Sequence, residues 1–115
     1  MIDFNFNKPE NRLTCVISGR MGTETNEEFL ALVTGKISES KDSLAKPADL
    51  MVSFDMKDVT YIASSFIRSC IVVSRLVDSG NFNIVNASPL IKKTFKISRI
   101  ESVLNTFQHT WEIGF

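Results

Sequence analysis

The residues that could carry chemistry in this sequence are two cysteines, one histidine, scattered carboxylates, a glycine-bearing turn and a serine pair at the start of a helix. Cys15 and Cys70 stand alone in separate apolar segments, where a thiol acts as a small core residue rather than a nucleophile or metal ligand. His109 sits beside Trp111 with no Cys, Asp or Glu at ligand spacing, which points to a surface or packing role. Gly19-Arg20-Met21-Gly22 lacks the further glycine of a dinucleotide or phosphate loop. The carboxylates between Glu24 and Asp58 fall mostly on a solvated helix face, and general acid–base chemistry needs two of them placed together. No catalytic, cofactor or metal site is expected, and the chain is not expected to be an enzyme. Ser64 and Ser65 differ from all of these. They open a helix, where unpaired amides and the positive end of the dipole favour an anion, and Arg68 follows one turn later. A phosphate on Ser64 would be favoured there and would change the local charge by nearly two units. The alternative is that Ser64 or Ser65 simply caps the helix, a contribution of about 1 kcal/mol.

The elements that position this pair can be read from periodicity. Ile2, Phe4 and Phe6 alternate with polar residues, as do Leu13, Cys15 and Ile17, and the Asn7–Asn11 stretch with Pro9 favours a turn between them. A β-hairpin is expected, with Gly19 and Gly22 ending its second strand. Thr25 and Glu28 have capping-box spacing ahead of Phe29, Val33 and Ile37, which predicts a helix over about 25–43. Leu50 to Phe54 reads as a short strand buried on both faces. The helix led by Ser64 is expected to run to about Ser79 and end at Gly80. Phe82, Ile84 and Val85 form a further strand, and Ser88-Pro89 starts a third helix with Ile91 and Phe95 inward. The tail from Glu101 predicts a short helix around Ser102 and then a strand. The order is an initial hairpin followed by alternating βαβαβα, an α/β class with a mixed, mostly parallel sheet covered by helices.

At 100° per residue, Phe66, Cys70, Val73 and Val77 of the second helix share a core face, and Ser64, Arg68, Arg75 and Ser79 lie opposite. Ile71 and Val72 flank that polar face and offer apolar contact area to a partner.

Composition sets the frame. The 115 residues suit one domain spanning 1–115, and an apolar fraction of 43% supplies a real core. Thirteen basic residues balance thirteen acidic ones, so the counterion-displacing excess of a nucleic-acid binder is missing. No signal-peptide pattern opens the chain and no apolar run approaches a membrane span, so a soluble cytoplasmic domain without membrane insertion is expected. Lys92, Lys93, Lys96 and Arg99 occur with no acid between Ser79 and Ile100. That cluster reads as a solvated helix face, with a docking surface for an acidic partner, and then RNA or anionic lipid, as the alternatives.

The run from Phe54 to Phe66, Phe-Asp-Met-Lys-Asp-Val-Thr-Tyr-Ile-Ala-Ser-Ser-Phe, resembles the signature of STAS domains, shared by sulfate transporters and anti-sigma factor antagonists. The likeness continues through Asp78-Ser79-Gly80, Ile84 to Pro89 and Phe95 to Ile100, and covers about residues 4 to 108. Three positions differ from the signature: Ala63 replaces its Asp, Phe66 its Gly, and Gly22 an acid. The resemblance implies a STAS-like fold of the antagonist type. It also implies partner switching without an enzymatic activity of the chain's own. Unphosphorylated, the domain would bind an anti-sigma factor with serine kinase activity. Phosphorylation at Ser64 would release it, and a phosphatase would restore it. Ser65, Phe66, Arg68, Ile71, Val72 and Asp55 would make the partner surface. The competing expectation is a constitutive scaffold, a homodimer or a subunit of a signalling or membrane-transport assembly, in which Ser64 is only a cap.

Overall fold

The computed structural model describes residues 1–78 and 80–97. Strands β1 (Ile2–Asn7) and β2 (Arg12–Met21) form the expected hairpin, antiparallel with Phe4 opposite Cys15. The turn between them is a single 3₁₀ turn. The Asn7 side chain accepts from the Glu10 amide at its start, and Asn11 takes a left-handed φ of 55° at its end. Helix α1 (Asn26–Asp42) then leads to β3 (Met51–Ile62), helix α2 (Ser64–Ser74), β4 (Phe82–Val85) and helix α3 (Pro89–Ile97). The sheet order is β1-β2-β3-β4, with β2, β3 and β4 mutually parallel. This is the mixed, mostly parallel α/β arrangement that the alternation predicted.

Register explains the core. Leu13 pairs with Val52, Cys15 with Phe54, Val52 with Phe82 and Phe54 with Ile84, so every strand points its apolar set the same way. Phe29 of α1 and Phe66 of α2 close over that face, with ring centroids 5.7 and 6.4 Å from Phe54 and 5.2 Å from each other. Ile91 and Phe95 of α3 join the same cluster, as their spacing predicted. The opposite side of β3 carries Met51, Ser53 and Asp55. Ser53 is buried, and its hydroxyl accepts from the Arg12 guanidinium at 2.8 Å.

Four sequence expectations need correction. The Thr25–Glu28 capping box does not form: a 3₁₀ turn over Thr23–Thr25 precedes α1, and the Thr25 hydroxyl turns back to donate to the Gly22 carbonyl at 3.2 Å. Gly19 does not end β2; it sits inside the strand at φ 86°, between register shifts that let β2 continue to Met21. Strand β3 is twelve residues rather than five, because β2 goes on pairing with it as far as Met21 opposite Ile62. Helix α2 stops at Ser74, not Ser79: the Arg75 amide donates back to the last turn, and Lys41 Nζ of α1 takes up the Leu76 carbonyl. Gly80, at φ 86°, serves the following turn into β4. The expected elements after Glu101, together with Ser79, Arg99 and His109, lie outside the described residues.

Candidate functional site

The start of α2 is fixed by the sheet. After Ile62 pairs with Met21, the Ala63 amide donates to the Met21 carbonyl at 2.9 Å, and the chain turns into the helix there. Ala63 is the N-cap, with extended φ −90° and ψ 166°, and it carries no side-chain cap bond. Ser64 and Ser65 are therefore the first two helical residues, and neither is the cap. Ser64 is exposed, whereas the Ser65 Oγ is buried and has no hydrogen-bond partner. The Phe66 and Ile67 amides both donate to the Ala63 carbonyl, and the two serine amides before them belong to the orphan set of a helix start. No acid lies in the first turn to offset the positive end of the dipole. Arg68 is exposed one turn along and makes no hydrogen bond or ion pair among the described residues.

The second wall is the segment between β2 and α1. Position 22 lacks a side chain, and the Glu24 carboxylate occupies the space instead: a Cβ placed on Gly22 would meet Glu24 Oε1 at 2.6 Å. An acid is thus present in this turn, supplied two residues later than the signature supplies it. Asn26, the first residue of α1, accepts through Oδ1 from the Ser69 hydroxyl of α2 at 2.6 Å. Ser69 is 2% exposed and Asn26 half-buried, so this bond is a partly buried tie between α2 and α1.

The named residues divide accordingly. Ser64, Arg68 and Val72 share the exposed side of α2, Val72 at 40% exposure. Ile71 is half-buried and packs against the core, so it offers less free surface than the wheel suggested. Phe66 is 1% exposed and belongs to the core. Asp55 stands apart. Its carboxylate accepts from the Lys57 amide at 3.1 Å and from the Asn86 side chain at 3.2 Å, tying the end of β4 to β3. Six residues of β3 separate it from Ile62, and their partners Val16 and Met21 stand five residues apart on β2, a span of roughly 16 Å. The wheel did not single out Ile67, which is buried. Ser69 was also missed, although its place beside Val73, at the margin of the apolar stripe, was the available signal.

The two thiols are buried, and burial pushes Cys15 up to about 12 and Cys70 well above the ordinary thiol range. Thiolate chemistry at neutral pH is closed to both. Among the described residues no cluster of His, Cys, Asp or Glu could hold a metal ion. No helix among them is long and apolar enough to cross a membrane.

The sheet order, the alternation of strands and helices and the serine-led helix after the long strand together define a STAS-like α/β fold. Among solved structures, the chain is similar to the anti-sigma factor antagonist SpoIIAA in its unphosphorylated form, with a TM-score of 0.60 and 12% identity over 84% of this chain and 83% of that one. No family model and no curated protein matches the sequence. At that identity the likeness is one of fold.

Proposed function

We propose that this chain is a phosphorylation-controlled binding module, an antagonist of an anti-sigma factor with serine kinase activity, and that Ser64 is its phosphoacceptor. The observation that carries the reading is the position of Ser64: exposed at the first helical residue of α2 and not used as a cap. A hydroxyl already committed to capping would lose that bond on modification; this one has none to lose. A phosphate there would meet orphan amides and Arg68 one turn away. In a complex covering Val72 and Arg68, the same dianion would need desolvation, which favours release. The fold shared with an anti-sigma factor antagonist supports the partner class.

The test is intact-mass analysis and phosphosite mapping of protein recovered from its host under several growth conditions. A phosphate on Ser64 in at least one condition, with partner binding lost in Ser64→Asp and kept in Ser64→Ala, is the expected result. Sensitive mapping that finds no phosphate on Ser64 would overturn the switch.

One observation favours a second reading, a constitutive scaffold. Phe66 stands where the signature has glycine and is packed into the aromatic core against Phe29. The close backbone approach that glycine gives a partner is absent at that position. In a scaffold, partner binding is unchanged by Ser64→Asp.

A further inference from the structure

Two faces of the molecule are complementary in charge and shape, and they lie towards opposite edges of the sheet. The first is on α1, which packs over β1 and β2. A cavity of about 290 Å³, open to solvent, lies between β2 and the first two turns of this helix. Ile2, Met21, Phe29 and Leu32 give it hydrocarbon walls, with Met21 and Phe29 buried and Leu32 46% exposed at the mouth. Glu28, one turn before Leu32, is the carboxylate that lines it, and it makes no hydrogen bond or ion pair among the described residues. The Arg20 guanidinium is stacked on Tyr61, which does not line the cavity, so it leaves Glu28 unpaired. Glu24 and Glu27 stand close by in the chain, and no basic residue occurs between Met21 and Gly35. The result is an apolar socket with an acidic margin.

The second face is on α3, which follows the edge strand β4 and packs against β3. Ile91 and Phe95 form its buried inner side. Leu90, Lys93 and Ile97 share its outer side at i, i+3 and i+7, with Leu90 65% and Ile97 70% exposed. The solvent side of an amphipathic helix is normally polar, so two bare aliphatic side chains make an unpartnered strip. Lys93 is exposed and makes no hydrogen bond or ion pair among the described residues. Lys92 and Lys96 are on the same helix, and no acid occurs from Ser79 to Ile100, so the strip has a basic margin. Leu90 projects from a fixed turn: Pro89 opens the helix, and the Ser88 hydroxyl accepts from the Ile91 amide.

We infer that these two faces bind one another between copies of the chain, the α3 strip of one molecule seating on the α1 cavity of the next. Leu90 enters the cavity, Lys93 pairs with Glu28, and Ile97 covers Leu32. Each exposed apolar group thus meets apolar surface, and an unpaired acid meets an unpaired base. Because the faces lie towards opposite edges of the sheet, a molecule does not fill its own cavity. The contact is heterologous, and copies add head to tail. This inference does not depend on phosphorylation of Ser64.

A contact with so few anchors is weak, so the test runs to high protein concentration. It is sedimentation velocity of the full chain across a concentration series, at low and at high salt. The average mass should rise with concentration, and less steeply at high salt, which screens the Lys93–Glu28 pair. Leu90→Ser removes the knob and Leu32→Arg blocks the mouth, both at exposed positions. Each should raise the dissociation constant about tenfold or more. Their equimolar mixture holds one intact strip and one intact cavity per pair, so it should form a dimer and nothing larger. Lys93→Glu and Glu28→Lys should each abolish self-association, and mixing those two should restore it. This second pair decides the matter should Leu90→Ser perturb α3. A wild type that stays monomeric leaves these faces to another protein and overturns the assignment. Self-association that persists in the single variants, or mixtures that fail to associate, would do the same.

Discussion

The Ser69 hydroxyl of α2 donates to the Asn26 side-chain carbonyl at the first residue of α1, 2.6 Å away, with Ser69 itself buried. It joins α1 to the helix that carries Ser64. Because Ser69 is buried, removing its hydroxyl leaves Asn26 Oδ1 without that partner. Ser69→Ala is expected to cost about 1–2 kcal/mol. Asn26→Ala should cost a similar amount, and the double variant less than the sum of the two. Urea unfolding of the wild type, both single variants and the double variant reads the coupling directly.

Ser64→Ala should be close to neutral for stability, within about 0.5 kcal/mol, because the N-cap is Ala63 and Ser64 makes no cap bond. Ser64→Asp puts a negative charge in the first turn and should be neutral to slightly stabilising, by about 0.3–1 kcal/mol at low salt. Loss of partner binding in that variant would then report the interface and not unfolding. Thermal melts of the two variants check this; a drop of several degrees in Ser64→Ala would restore the cap interpretation.

Restoring the signature glycine at position 66 should damage the protein. Phe66 is 1% exposed and packs with Phe29 and Phe54. Phe66→Ala is expected to cost about 3–5 kcal/mol through the cavity it leaves, and Phe66→Gly about 1 kcal/mol more through helix propensity. Denaturant midpoints of the two variants give the comparison.

The thiols make stability fall in alkaline solution. Burial raises Cys15 from 9.0 to about 12 and raises Cys70 as well, so the unfolded chain gives up these protons first. Their contribution is whole below pH 9 and is lost as pH rises from 9 towards the folded values, at up to about 1.4 kcal/mol per pH unit per thiol. Melting temperature should therefore decline above pH 9, and less steeply in Cys15→Ala. At pH 8 neither thiol should react with a disulfide reagent until denaturant is added.

Much of the fold was legible in the chain because its signals are local and periodic. Alternation in Ile2–Phe6 and Leu13–Ile17 gave the hairpin, and the spacing of Ile91 and Phe95 behind Ser88-Pro89 gave α3, where Ser88 Oγ does accept from the Ile91 amide at 3.3 Å. Those patterns depend on strand and helix geometry alone. The ends of elements were not legible, because pairing decides them. Strand β3 runs on through Lys57-Asp58, a polar stretch at which β2 shifts register by one residue before pairing again from Ser18 opposite Asp58, and α2 ends where the chain must turn for β4.

For the site, the sequence alone determined that a serine pair opens a helix with Arg68 one turn on. Only the tertiary structure decided which residue caps it. The Met21 carbonyl takes the Ala63 amide, and that bond sets the helix start one residue ahead of Ser64. The Ser69–Asn26 tie arises the same way. Each joins elements distant in the chain. Local periodicity says which face a residue occupies on its own helix or strand; what lies opposite that face is set by how the elements pack.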